Sequence, residues 1–145
     1  MRHLLDVNVL VALFDPWHVQ HEAAHRWFGD KGMRSWATCP ITENGFVRVV
    51  SHPKYPNLDA TPADALRRLR ELCASAGHAF WPDDVSLRLA KQLDWQLLQG
   101  PAQLTDAYLA LLALKHKGTL ATFDRHLTES PWAAAFRSSV ELVGE

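Results

Sequence analysis

Short apolar runs punctuate this chain between longer stretches with helical spacing. His3–Leu5, Arg34–Thr38, Ala79–Trp81, Thr119–Phe123 and Ser139–Val143 read as short buried strands. Asn8–Phe14 is apolar on every side, as a fully buried helix is, and Asp15-Pro16 stops it. A second helix is expected over His18–Phe28, with Ala23, Ala24, Trp27 and Phe28 as its apolar positions. Pro40–Ser51 reads as a third, with Thr42 as a cap. Thr61-Pro62 opens a fourth by a cap residue followed by proline, ending near Gly77. Val85–Leu93 is expected to be a short helix and 97–101 a loop. Leu104–His116 is a strongly apolar helix closed by Gly118. The segment 52–57, His-Pro-Lys-Tyr-Pro-Asn, is a loop of helix breakers. Strands alternating with helices predict an α/β protein, a parallel sheet covered on both faces.

Composition narrows the class. The 145 residues suit one domain, 1–145, and 48% hydrophobic with 21% charged residues describes a globular chain. A formal net charge of −1 does not advertise nucleic-acid binding, although a local basic patch suffices for an enzyme that must release its substrate. Cys39 and Cys73 are far apart without a CxxC pair, so neither a disulfide framework nor a zinc knuckle is implied. No apolar run reaches the roughly 18 residues of a membrane span. Arg2 and the apolar stretch after it imitate a signal peptide, but Asp6, Asn8 and Asp15 interrupt it and no small-residue cleavage site follows. The expected location is cytoplasmic.

Candidate chemistry starts with Asp6, a carboxylate amid apolar neighbours that is expensive to bury without a partner. In open parallel sheets, sites form beyond the carboxyl ends of the strands. Asp6 lies just past the first strand and Asp124 just past the fourth. Glu43 heads an apolar stripe with Phe46, Val47 and Val50 at helical spacing. Asp106 lies in a helix start, with Thr105 as its cap and Ala110 and Ala113 on the same face. Singly, each acid is accounted for by helix capping or by the helix dipole, worth about 0.3–1 kcal/mol. Jointly, four acids at one edge repel one another unless a cation intervenes. Oxygen donors without cysteine select Mg²⁺ or Mn²⁺.

These segments resemble a known family. Leu4-Leu5-Asp6-Val7-Asn8-Val9-Leu10, Ile41-Thr42-Glu43, Leu104-Thr105-Asp106-Ala107-Tyr108-Leu109-Ala110 and Ala121-Thr122-Phe123-Asp124 resemble the four acidic stations of PIN-domain nucleases. Within that family the likeness is to the VapC toxins of bacterial toxin–antitoxin pairs, and His78–Asp84 is similar to that group too. The resemblance covers essentially the whole chain. It implies a three-layer α/β/α sandwich around a central, mostly parallel five-stranded sheet. It implies a Mg²⁺- or Mn²⁺-dependent endoribonuclease that acts on RNA, forms a homodimer and is inhibited by a VapB-type antitoxin. By position it assigns the catalytic and metal roles to Asp6, Glu43, Asp106 and Asp124. Asp6 and Asp106 are expected as the firmest ligands. Glu43 and Asp124 are expected to bind directly or through water, or to orient the attacking water. Asn8, Thr105 and Thr122 are expected to hold the carboxylates, and Arg125 and His126 to contact RNA. Two alternatives stay open: a PIN nuclease outside toxin–antitoxin pairs, and an interaction module that binds without cleaving.

The remaining features have simpler readings. His18, His21 and His25 share a helical face in the expected second helix, which reads as a polar face rather than a zinc site. Arg67, Arg68 and Arg70 read as a solvated face, with phosphate steering as the alternative. Lys115 and Lys117 suit the end of a helix dipole. Trp17 and Trp132 are the tryptophans expected to be exposed.

Overall fold

The computed structural model describes residues 1–144. In chain order the elements are β1 His3–Leu5, α1 Val7–Phe14, α2 His21–Asp30, β2 Trp36–Thr38, α3 Pro40–Val50, α4 Pro62–Cys73 and β3 His78–Phe80, followed by α5 Leu104–Lys115, β4 Thr119–Thr122, α6 His126–Glu129 and β5 Val140–Leu142. The five strands lie in the order β3-β2-β1-β4-β5, and every neighbouring pair is parallel. The expected mostly parallel sheet is therefore wholly parallel. From β1 the chain builds outward in one direction through β2 and β3, then returns to place β4 on β1's other side. That reversal opens a crevice beyond the carboxyl ends of β1 and β4.

Strand side chains alternate between the faces, so consecutive residues feed two cores. Leu4, Ala37 and Leu120 point to one side, where Ala107–Ala113 of α5 pack with Trp132 and Phe136. Leu5, Trp36 and Ala121 point to the other, against Val9, Leu10 and Leu13 of α1, Phe46 and Val50 of α3, and Leu69 of α4. This is the three-layer α/β/α sandwich. Helix α5 is buried around almost its whole circumference because alanines allow close approach.

Several boundaries differ from the sequence reading. β2 begins at Trp36, because Gly32–Arg34 form a 3-10 turn. α2 starts at His21, so His18 precedes it and the three histidines do not share one helix. α4 opens as expected, with Thr61 accepting from the Asp64 amide, but ends at Cys73. β3 sits one residue earlier than expected. The expected helix over Val85–Leu93 reduces to a 3-10 turn at Leu87–Leu89. Val85, Leu87 and Leu89 recur every second residue, not at helical spacing, and Val85 and Leu87 pack onto the α5 core without a helix. The expected 97–101 loop meets two 3-10 turns, Trp95–Leu97 and Pro101–Gln103. Trp132, expected at the surface, is 3% exposed. It lies in a 3-10 segment, Pro131–Ser139, which lays Trp132, Ala133 and Phe136 on the α5 side of the sheet. Trp17 is 74% exposed, as expected.

Candidate active site

Asp6 takes its position from the backbone on both sides of it. Its amide donates to Ala121 O of β4, and its carbonyl accepts from the Val9 and Leu10 amides as α1 begins. The residue is the N-cap of α1, with an extended backbone. One carboxylate oxygen accepts from the Val7 amide at 2.7 Å, and the other from the Thr122 hydroxyl at 2.7 Å. The side chain is only 8% exposed. Burial pushes its pKa up, the bonds from Thr122 and Val7 oppose this, and the charge of Asp124 adds to the rise.

Thr122 links three of the site's residues. While donating to Asp6, its hydroxyl accepts from Asn8 Nδ2 at 3.3 Å and from the Asp124 amide at 3.0 Å. Asn8 Oδ1 in turn accepts from the Phe123 amide at 3.5 Å. Asp124 Oδ1 accepts from the His126 amide at 2.9 Å. The ends of β1 and β4 are thus locked to each other by side chains as well as by the strand ladder.

Asp106 arrives from the first turn of α5. With Asp6, Asn8 and Asp124 it lines a cleft of about 430 Å³, whose other walls are Val7, Val11, His18, Val49 and Tyr55. Burial, then the charges of Asp6 and Asp124, push the Asp106 carboxyl up to about 7, while His126 pulls it down. Three carboxylates from three parts of the chain therefore share one open cleft, where their charges raise the pKa of Asp6 and Asp106. The donors facing the cleft from these acids are all oxygen, which suits a hard divalent cation.

Glu43 does not line this cleft. It accepts from the Thr38 hydroxyl at 2.6 Å and lies beside Cys73 and His78. Thr105 is not a cap: α5 starts at Leu104 with Gln103 before it, and Thr105 is an exposed residue of the first turn. Arg125 and His126 are both exposed, and Arg125 lines a separate depression with Gln20, Phe123 and Leu142. Arg67 and Arg68 pair with Asp64 and Glu71 along the exposed face of α4.

His21 Nδ1 lies 2.7 Å from Ala12 O and His25 Nε2 lies 2.8 Å from Leu13 O. These rings satisfy the open carbonyls at the end of α1. His18 and Tyr55 are cleft residues that the sequence did not single out as such. Buried Asp15 brings Tyr55 there, accepting from its hydroxyl at 2.5 Å and from Asn57 Nδ2 at 2.7 Å. No local pattern signals a bond between α1's C-cap and a distant breaker-rich loop.

Comparison with known proteins decides the family. The PIN domain model matches residues 3–132. The chain is 45% identical to ribonuclease VapC39 of Mycobacterium tuberculosis over 130 residues, covering 90% of this chain and 94% of that one. It belongs to the VapC ribonucleases of the PIN-domain family. Ribonuclease VapC44 of the same organism is 46% identical over 127 residues, covering 88% of this chain and 89% of the relative. The crystal structure of M. tuberculosis VapC20, described as a sarcin-ricin loop cleaving toxin, superposes with a TM-score of 0.61. It covers 97% of this chain and 98% of its own at 14% identity, a likeness of fold. As a VapC ribonuclease the chain is an endoribonuclease, and the alternative of a non-cleaving interaction module falls away.

Proposed function

We propose that this VapC ribonuclease is the toxin of a toxin–antitoxin pair, cleaving RNA with Mg²⁺ or Mn²⁺ at the Asp6–Asp106–Asp124 cleft. The observation that carries the reading is the gathering of three carboxylates from α1, α5 and the end of β4 around one cleft. Asp6 and Asp106 are the principal ligands and Asp124 the third. A divalent cation held there supplies neutralisation of the phosphate and activation of water. The chain's own groups do the positioning. Thr122 and Asn8 hold Asp6 and Asp124 in fixed orientations, which supports a site needing little rearrangement. Hydrolysis in line leaves a 5′-phosphate and a 3′-hydroxyl. His126, whose charge reaches Asp106, and Arg125 contact the RNA, and His18 and Tyr55 form the far wall of its path. Glu43, held at the start of α3 by the Thr38 hydroxyl, is the fourth acid of this reading, acting on the cation through water or orienting the attacking water. The protein works in the cytoplasm as a homodimer, silenced by a VapB-type antitoxin.

The test is cleavage of structured RNA by the purified chain with Mg²⁺ or Mn²⁺, with Asp6→Asn as control. Asp6→Asn is expected to lower the rate by at least about 100-fold, a loss of roughly 3 kcal/mol of transition-state stabilisation, with an unchanged circular dichroism spectrum. A folded mutant cleaving at the wild-type rate removes Asp6 from the site. In cells, expression should arrest growth unless the small protein encoded beside it is present. A harmless, well-folded wild type makes the chain a VapC-type nuclease without a toxin role.

A further inference from the structure

Two kinds of residue line the aspartate cleft. A cation and a phosphate account for the acids, but neither uses the Tyr55 ring, the valines or His18 beside them. Tyr55 and His18 are put there by one buried group, Asp15, the C-cap of α1. One Asp15 oxygen accepts from the Tyr55 hydroxyl at 2.5 Å and from Asn57 Nδ2 at 2.7 Å, and the other from the Trp17 amide at 2.9 Å. The Asp15 carbonyl accepts from the His18 amide at 3.1 Å. Burial alone would raise the Asp15 pKa, but the bonds from Tyr55, Asn57 and the Trp17 amide outweigh it and hold the pKa below its ordinary value. The node therefore stays charged and intact near neutral pH. With its hydroxyl committed to Asp15, Tyr55 has only its ring to offer the cleft. His18 Nδ1 accepts from the Gln20 amide at 3.0 Å. An amide only donates, so Nδ1 carries no proton and the ring proton sits on Nε2, which has no hydrogen-bond partner among the described residues. Both side chains are half-buried, which leaves part of each ring accessible.

We propose that this part of the cleft is a nucleobase subsite: one unpaired base of the RNA, next to the cleaved phosphate, stacks on the Tyr55 ring against Val11 and Val49, and His18 Nε2–H donates to an acceptor on its edge. The proposal rests on the nuclease reading of the aspartates and adds which part of the RNA lies beside them. The cleft, about 430 Å³, is of the size that holds a small organic ligand, so a base fits with its phosphate at the acids. A base inside a helix has both faces covered by its neighbours, so only an unstacked nucleotide can use the ring. The RNA is therefore single-stranded or splayed open at this position. Stacking tolerates any base, because every base has a flat face, whereas the single donor of His18 favours a base that presents an acceptor there. A neutral imidazole adds this contact without placing a second cation beside the metal.

The test is a binding cycle on the full chain carrying Asp6→Asn, so that the RNA is not cut. The probe is a fluorescently labelled single-stranded RNA of about eight nucleotides and mixed sequence, intact or with the base removed at each position in turn. Affinity is read by anisotropy in Mn²⁺. Removing the base at one position should weaken binding by about 5- to 150-fold, the range for one base stacked on an aromatic ring. Tyr55→Leu should weaken binding of the intact RNA by a similar factor and abolish the sensitivity to that base, while Tyr55→Phe keeps it. A merely structural role for Tyr55 would weaken all the RNAs alike. Undiminished affinity in a folded Tyr55→Leu overturns the proposal, as do losses from mutation and base removal that multiply. Should Tyr55→Leu fail to fold, His18→Ala is put through the same cycle, and losses that multiply there overturn it. Cleavage by the wild type is assayed in parallel. Cutting without a base effect overturns the subsite alone, and a base effect without cutting overturns the nuclease reading alone.

Discussion

At the scale of single residues, the site is governed by the chemistry of crowded carboxylates. Asp6 is tolerated in an apolar setting because an amide and a hydroxyl each hold one of its oxygens. Asp106 has no such support, and its carboxyl rises from 3.8 to about 7 under burial and the charges of Asp6 and Asp124. The folded protein therefore binds a proton there that the unfolded chain has released, and stability falls as pH rises between those two values. In chelator, thermal melts from about pH 4 to about pH 8 should show a melting temperature that declines with pH. Asp106→Asn should flatten that decline. A slope unchanged by Asp106→Asn would assign it to other groups. That Asp6, Asp106 and Asp124 lie at the ends of elements was legible in the sequence, because each follows a strand or opens a helix. Glu43 had the same local signature, an acid heading an apolar stripe, yet Thr38, Cys73 and His78 lie elsewhere in the sequence and set its direction.

Among the elements, joints matter more than lengths. α5 carries Asp106 at one end and must turn into β4, which delivers Asp124 at the other side of the cleft. The turn is made by Lys117, the only non-glycine with positive φ among the described residues, at 56°. Gly118 N donates to Ala113 O and Lys117 N to Leu114 O, closing the helix end. Gly118 is needed for space: a Cβ there would lie 2.4 Å from Arg2 O and 2.7 Å from the Trp81 ring. Gly118→Ala should destabilise the protein by about 1–3 kcal/mol, the range for overpacking, measured by urea denaturation. A neutral result would mean that the β1–β4 edge gives way easily. The sequence reading placed glycine at this helix end correctly, but the left-handed residue is its neighbour. It mistook Val85–Leu93 for a helix because apolar content, not spacing, dominated there. The sequence predicts no element over 131–138, and the 3-10 segment Pro131–Ser139, which takes in the Ser139 expected to open the last strand, has structure chiefly through its packing beneath the sheet.

For the whole molecule, the topology makes the site. β4 returns to pair with β1, so the chain's first and last acidic stations become neighbours across the reversal in strand order. Those carboxylates repel each other in the folded state and are far apart in the unfolded one. A cation that binds the folded cleft should consequently stabilise the protein as a whole. At Mn²⁺ about 100-fold above its dissociation constant the gain is about 2.7 kcal/mol. Differential scanning fluorimetry should show the melting temperature rising with Mn²⁺ in the wild type and not in Asp6→Asn/Asp106→Asn. An equal rise in both would place the stabilising cation outside the cleft.

The sequence alone determined the α/β class, the order of strands and helices along the chain, and the family. Those properties are carried by local periodicity, by caps such as Thr61-Pro62, and by motifs readable in a few consecutive residues. Tertiary structure alone decided which acids meet. Asp6, Asp106 and Asp124 share a cleft because three elements end at one edge of the sheet, whereas Glu43 sits with Cys73 and His78 across α3, α4 and β3. It also decided that Trp132 is buried and that Tyr55 joins the cleft through Asp15. A side chain's neighbours depend on long-range packing and on where other polar groups need partners, and neither is written in the residues beside it.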